Sequence, residues 1–420
     1  MLDLRFIREN PDTVRENLRK RGAAVDLDAL LALDEDRRQL ITDLEKLRQQ
    51  RNELAKSMKG RKPSDSERDQ GRELKKREPE LQTELDRVAA EVDALLRVIP
   101  NLVHPDVPEG ASEEANLELR RSGEPRKFDF EPRDHIQLAA LHDLVDFEAG
   151  AKTSGQKFYF LKNEAVLLEQ ALVRYALDRV RARGFTLFQT PDLARREVCA
   201  GTGYTASGPE KQIYTIEDED LALIGTAEIT LSGMHAGDLL DAQDLPLRYG
   251  GFSHCFRMEA GAAGRAGRGL YRVHQFSKVE IFAFTHPDDS EAMHQEILEI
   301  EEDIFRELEL PFRVMLLCGG DSASQAARTY DIEAWMPGRD GGSYGEVTSA
   351  STCTDFQARR MDIRFRDAET RKIRFVHMLN GTAIALPRTL IPLLENHQQR
   401  DGSITIPEAL RTYAGFDRIG

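Results

Sequence analysis

Along residues 252–284, FSHCFRMEAGAAGRAGRGLYRVHQFSKVEIFAF, apolar and polar positions alternate twice around a stretch of Gly, Ala and Arg. Phe252, His254, Phe256 and Met258 share one parity, and Ser253, Cys255, Arg257 and Glu259 the other. That is the period of a strand. The stretch AGAAGRAGRG builds no core and predicts a flexible loop carrying fixed positive charge. A second alternating run over 271–284 predicts an antiparallel return strand. Arg257 and Glu259 point to one side, and Lys278 and Glu280 share a parity on the return. Unpaired buried charge is costly. The charged face is therefore either a solvated surface laced by salt bridges or the floor for a charged ligand, with the arginine-rich loop as its lid.

Near the N-terminus the period changes. Residues 1 to about 25 predict a short helix and a turn. Leu33, Leu40, Leu47 and Leu54 then mark one heptad position, with Leu44 and Met58 at the other and Arg37 and Arg51 interrupting it. After the break GRKPSDSE a second heptad runs through Leu74, Leu81, Val88 and Leu95, with Leu85, Val92 and Ile99. Two heptad helices joined by a short turn predict an antiparallel coiled-coil hairpin with arms roughly 40 Å long. Pro79 should kink the second helix or mark its first regular turn. Heptads serve most often for oligomerisation. A two-helix arm with cations near its tip equally suits a probe for a phosphate backbone.

Residues 100–135 are rich in Pro, Glu, Gly and Asp and read as a linker. The expected division is 1–105, an arm; 106–135, a linker; and 136–420, a globular domain. Within the last, 166–183 predicts an amphipathic helix stopped by Gly184, followed by the strand-like FTLFQTPDL and a loop, GTGYTASGPE. The apolar run LALIGTAEITLSGMH embeds Thr226 and Glu228. On a strand these two share a side and could receive an ammonium and a hydroxyl; otherwise Glu228 marks a surface turn. A helix over 290–309 and a strand over 330–335 come next. Beyond the turn GRDGGSYGE, the oxygens of Glu346, Thr348, Ser349 and Ser351 suit a hard cation such as magnesium, or form a polar hairpin face. RFVHMLNGTAIALPRTLIPLLENHQ predicts a strand, a small-residue turn and a helix opening near Arg388, whose charge adds to a terminus that favours anions.

Composition narrows the class. The N-terminus carries charges inside its apolar run, so no signal peptide is expected, and no apolar stretch is long enough to span a bilayer. Four scattered cysteines without a CxxC pair predict a reduced, cytoplasmic setting and no zinc. Net charge is −15, yet Lys46 to Arg77 holds 12 Lys/Arg against 5 Asp/Glu. A basic patch on an acidic body suits a partner that docks at one place.

TAE before FRMEAG, then RVHQFSKVE, DFQARR and LNGTAIALPRTLIPLLENHQ, in this order and behind a coiled-coil arm, resemble the bacterial-type seryl-tRNA synthetases, a class II family, end to end. The resemblance implies an α+β chain: an antiparallel coiled-coil hairpin plus a class II catalytic domain, an antiparallel sheet flanked by helices. It implies a homodimer built partly through a motif around Pro191. Carried over by position, Thr226, Ala227 and Glu228 would bind serine, Glu280 would take its ammonium, and Thr382 would contact it through a hydroxyl. Arg257 would hold the α-phosphate of ATP, Glu259 the adenine side, and Phe276 would stack on adenine. Glu346 and Ser349 would hold magnesium, with Val347 and Thr348 lining the same segment, and Arg388 would meet the γ-phosphate. Arg257, Glu259 and Arg388 are thus the implied catalytic set. ATP, magnesium, L-serine and tRNA(Ser) are the implied cofactors and partners; whether tRNA(Sec) is also charged stays open, and no membrane is involved.

Three departures stand out. Met258 replaces a usually small residue, though its backbone can still line the ATP site. Ala266-Gly267 replaces a pair commonly Asp-Thr, and Thr348 and Thr382 stand where Ser is commoner. Two other readings compete: a paralogue that loads an activated amino acid onto a carrier protein or small molecule, and a non-catalytic RNA-binding scaffold.

Overall fold

The leucine heptads fold as two long helices. The computed structural model describes residues 1–204, 212–259 and 269–420, and the chain divides into Met1–Pro100 and Asn101–Gly420. In the first unit α1 (Leu4–Glu9) and α2 (Pro11–Lys20) precede α3 (Leu27–Ser57) and α4 (Asp65–Val98), which pack along each other. The one helix expected before residue 25 is two, because Pro11 starts a new helix at its first position. The α3–α4 seam buries Leu44, Leu47, Val88, Val92 and Leu96. Toward the turn Leu54 and Leu74 are only half-buried. Ion pairs fill the heptad breaks. Arg37 and Arg8 each donate at 2.7 Å to the buried carboxylate of Asp34. Arg51 pairs with Glu78 across the hairpin, and Arg48 reaches the same carboxylate at 3.0 Å. Ser64 and Glu67 close a capping box at the start of α4, so Pro79 lies inside the helix rather than in its first turn.

The second unit is built on one eight-stranded sheet. Its strands are β1 (Leu117–Ser122), β2 (Thr186–Gln189), β3 (Leu247–Phe256), β4 (Gln275–Thr285), β5 (Phe312–Leu316), β6 (Arg328–Met336), β7 (Ser343–Thr352) and β8 (His377–Leu386). They lie in the order β1-β5-β6-β7-β8-β4-β3-β2, antiparallel except for the β2–β3 pair. The helices that bear on the site are α5 (His135–Leu141), α6 (Glu164–Ala182), α7 (Ala227–Gly233), α8 (Ser290–Glu307), α9 (Phe356–Met361) and α10 (Leu390–His397). This is an α+β fold, helices flanking a mainly antiparallel sheet.

Strand parity sorts the two faces. Val279, Ile281 and Ala283 of β4 and Ile332 and Ala334 of β6 share one core with Leu168 and Leu172 of α6 and Ile297 and Ile304 of α8. Each large aliphatic buried there contributes about 1.5–3 kcal/mol. The opposite parity, Phe276 and Lys278 of β4 with Asp331 and Glu333 of β6, lines a cavity. Two bulges reset that parity. Thr348 lies opposite Ile332 and Glu346 opposite Glu333, so Val347 is an extra residue in β7. Thr382 pairs with Glu280 and Ile384 with Val279, so Ala383 is extra in β8.

Several expectations are corrected. Leu117–Ser122, inside the expected linker, is the edge strand β1; its side chains are largely exposed, so no burial pattern betrays it. Thr226 and Glu228 are not strand neighbours: Thr226 caps α7 and Glu228 sits in its first turn. The return strand starts at Gln275, not Tyr271. The small residues NGTA are no turn, because β8 runs through them. Gly381 is required there, since a Cβ would lie 2.2 Å from Ile297 Cγ2. The arginine-rich loop with Ala266-Gly267, and most of GTGYTASGPE, lie outside the described residues. No helix among the described residues is long and apolar enough to cross a membrane.

Candidate active site

A cavity of about 900 Å³ opens on the polar face of the sheet. Glu228, Arg257, Glu259, Phe276, Glu346, Val347, Thr348, Ser349, Thr382 and Arg388 all line it. Arg257 follows β3 directly, its N–H donating to His274 O at 2.9 Å so that the ladder continues one residue past the strand. Its guanidinium lies 5.2 Å from the Phe276 ring centroid, and its Nε donates to Gly225 O at 3.1 Å. Glu259 adopts a left-handed conformation (φ 48°) and pairs with Arg272 at 2.9 Å. Arg388 donates from Nε to Tyr271 O at 3.2 Å and pairs with Glu346 at 2.9 Å.

One end of the cavity is a pocket of buried charge. Glu280 is fully buried and does not itself reach the wall. It sits behind Lys278, its ion-pair partner, and Asn380, both of which do. Thr382 lies directly across from it on β8. Gln357 of α9 donates to Glu228 Oε1 at 2.6 Å and to Thr202 O at 3.0 Å. Burial first, then the nearby Glu280 charge, push the Glu228 carboxyl up to about 7. Glu280 pairs with Lys278, while the charges of Lys278 and Arg257 act on the Glu228 carboxyl against the effect of burial.

Besides Glu280, three more residues expected at the site are absent from the cavity wall. Thr226 accepts from Glu228 N at 3.2 Å and is fully buried as the α7 cap. Ala227 packs into a core cluster with Leu231 and Phe282. Met258 is half-buried, its N–H donating to Gln212 O at 2.8 Å.

At the other end the β7 bulge decides which oxygens converge. Residues three apart on a regular strand face opposite ways. The extra Val347 brings Glu346 and Ser349 to one side, while the Thr348 hydroxyl turns back to donate to Glu301 Oε2 of α8 at 2.9 Å. Asp331, opposite Ser349, lines the cavity with its Oδ1 buried and unpartnered. Burial, then the charge of Glu346, hold its carboxyl well above the ordinary range. Such hard oxygens fit magnesium. Among the described residues no three His, Cys, Asp or Glu form a closed metal cage.

Glu301, Gln357, Asn380 and Asp331 are not singled out by the sequence, whereas Lys278 already stands on the charged strand face. A lysine and a glutamate sharing one parity in an apolar strand were a signal for Lys278. Glu301 and Gln357 sit on helices whose approach to the sheet no periodicity reveals.

Comparisons with known proteins agree with this architecture. The seryl-tRNA synthetase N-terminal domain model matches residues 1–103, and the tRNA synthetase class II core domain model (G, H, P, S and T) matches residues 214–397. The chain is 50% identical to a serine–tRNA ligase of Treponema denticola, covering all of both chains. It is 52% identical to that of Rubrobacter xylanophilus over 100% of this chain and 99% of that one. Among solved structures, seryl-tRNA synthetase from Pyrococcus horikoshii complexed with ATP superposes with a TM-score of 0.92 at 42% identity, covering 100% of this chain and 99% of that one. The cytoplasmic serine–tRNA ligase of Naegleria fowleri in complex with AMP gives 0.87 at 32% identity, covering 100% and 98%.

Proposed function

Because the chain belongs to the class II seryl-tRNA synthetases, we propose that it activates L-serine with ATP and transfers it to the 3′ end of tRNA(Ser). The observation that carries this reading is the convergence of Arg257, Glu346 and Arg388 on one cavity, with the Glu228 and Glu280 carboxyls at its end. The serine ammonium is taken by Glu228 on the wall, with Glu280 acting from behind Lys278 rather than by direct contact, and the hydroxyl by Thr382. Thr226 and Ala227 contribute by fixing α7. Phe276, with Arg257 stacked on it, offers the adenine a planar surface, and Glu259 borders it.

The serine carboxylate attacks the α-phosphorus in line. One P–O bond forms, the bond to the β-phosphate oxygen breaks, and pyrophosphate leaves. Arg257 neutralises charge on the α-phosphoryl oxygens and Arg388 on the γ-phosphate, with Val347 and Thr348 shaping the same wall. This is rate enhancement by positioning and fixed charge, without a proton-transfer base. Magnesium, held through Glu346 and Ser349 beside Asp331, would supply further charge neutralisation across the phosphates. The terminal ribose hydroxyl of the tRNA then attacks the activated carbonyl, and AMP leaves.

Refusing alanine follows from the hydroxyl: its absence leaves a buried polar partner unpaired. The arm, within Met1–Pro100, would orient tRNA through backbone contacts, with Asn101–Gly420, whose sheet includes β1, as the catalytic unit. Exposed Lys59, Lys62, Lys75 and Lys76 near the hairpin turn support this. A homodimer formed partly around Pro191 and a cytoplasmic setting belong to the same reading, which leaves charging of tRNA(Sec) open. The test is charging of total tRNA with each amino acid in turn, beside serine-dependent exchange of pyrophosphate into ATP. Magnesium-replete protein without that exchange would end the proposal.

A further inference from the structure

Glu395 of α10 takes no part in the chemistry above, yet it holds two segments at the phosphate end of the cavity. Its Oε1 accepts from the His135 backbone N–H at 2.9 Å and faces the His135 ring Nδ1 at 3.0 Å. Its Oε2 accepts from Gly338 N at 2.8 Å. The Glu395 side chain is only 1% exposed. The other ring nitrogen of His135, Nε2, receives Leu270 N at 3.3 Å. A backbone N–H can only donate, so Nε2 is the bare nitrogen and Nδ1 carries the proton toward Glu395.

The backbone closes tightly around this pair. A Cβ on Gly269 (φ +63°) would fall 2.2 Å from His135 Nε2, and one on Gly338 would fall 2.5 Å from Asp134 Cα. Each pinned amide immediately precedes a residue on the cavity wall. Leu270 leads to Tyr271, whose carbonyl takes Arg388 Nε and whose ring centroid lies 4.6 Å from the Arg388 guanidinium. Gly338 leads to Arg339, whose guanidinium also lies 4.6 Å from that centroid. Arg339 lines the cavity.

We propose that His135 and Glu395 are positioning residues which, by pinning the amides of Leu270 and Gly338, set Tyr271 and Arg339 so that Arg388 meets the triphosphate. The proposal rests on the serylation reading. Two full-length variants test it. His135→Ala removes the acceptor for Leu270 N, whereas the carbonyl of His135→Gln falls near the position of Nε2 and can still accept. His135→Ala should raise the KM for ATP in serine-dependent exchange by about tenfold and move the KM for serine by less than about twofold. Hydrogen exchange at the Leu270 amide should accelerate in the absence of substrate. His135→Gln should restore most of both. An ATP KM within about twofold of wild type in His135→Ala would overturn the proposal. So would a Leu270 amide no better protected in His135→Gln than in His135→Ala, a readout that stands even where the alanine variant loses activity through instability. Wild-type protein without exchange would count against the serylation reading alone, and Leu270 protection would still decide the positioning contact.

Discussion

Thr348 and Glu301 are joined by a hydrogen bond of 2.9 Å through the sheet, from the strand that lines the cavity to the helix behind it. The other oxygen of Glu301 accepts from Thr382 N at 2.8 Å. One carboxyl group thus ties together the strand of the cation end and the strand of the amino-acid end. Burial, opposed by the hydrogen bonds from Thr348 and Thr382, pushes that carboxyl well above the usual range. Glu301→Gln should therefore be nearly silent, since an amide can accept from Thr382 and donate to Thr348. Glu301→Ala leaves both partners unsatisfied beside a cavity and should cost about 3–5 kcal/mol, read from denaturant unfolding. Equal losses in the two variants would contradict this.

Arg257 touches Phe276 and faces the cavity, so its removal should strike the chemistry and not the fold. Arg257→Ala should lower serine-dependent pyrophosphate exchange by about 100- to 1,000-fold. Arg257→Lys should recover little, because a lysine ammonium cannot reproduce a planar, stacked, forked donor. Steady-state exchange on both variants, with unfolding midpoints alongside, checks it.

Glu228 sets a pH dependence with opposite signs for function and stability. Capture of the serine ammonium needs the carboxylate, so kcat/KM for serine should rise with pH and level off above about 7. Folding responds the other way. The folded state holds this proton more tightly than the unfolded chain, whose glutamate titrates near about 4.3. Stability from this group is greatest below that value and falls as pH rises to about 7. Glu228→Gln should abolish the inflection for serine while stabilising the protein at pH 8 by an amount on the order of 2–3 kcal/mol. Paired pH–rate and pH–unfolding profiles would show the crossing.

Lys59, Lys62, Lys75 and Lys76 are exposed near the hairpin turn. Replacing all four by Ala should raise the KM for tRNA by at least about tenfold and flatten its dependence on salt by roughly one log unit for each phosphate that a lysine no longer neutralises. Pyrophosphate exchange should not change. A matching fall in exchange would mean that the substitutions disturb more than docking.

Much of this was legible because periodicity speaks for whatever is half-buried. The hairpin around Arg257 and Glu280, the heptad arm, and the helix after Arg388 all announce themselves by alternation or by a repeat of leucines. The edge strand at Leu117 stayed hidden because neither of its faces is buried. The cap at Thr226 was misread because a helix of seven residues in an apolar run has too few turns to show its period. Glu301 and Gln357 depend on which helix meets which strand, a relationship between distant segments that no local pattern encodes. Carry-over by position brought Glu346 and Ser349 together; the bulge supplies the physical reason they face the same way.

The extra residue at Val347 makes β7 a strand with two phases. Residues on both sides of it stay paired with β6, from Ser343 opposite Met336 to Thr352 opposite Arg328. Removing Val347 would restore a regular ladder with Glu346 still opposite Glu333 and Thr348 opposite Ile332, so both side chains would keep their facing. The extra residue is therefore a spacer: it sets how far apart Glu346 and Ser349 lie along one face without deciding which face either takes.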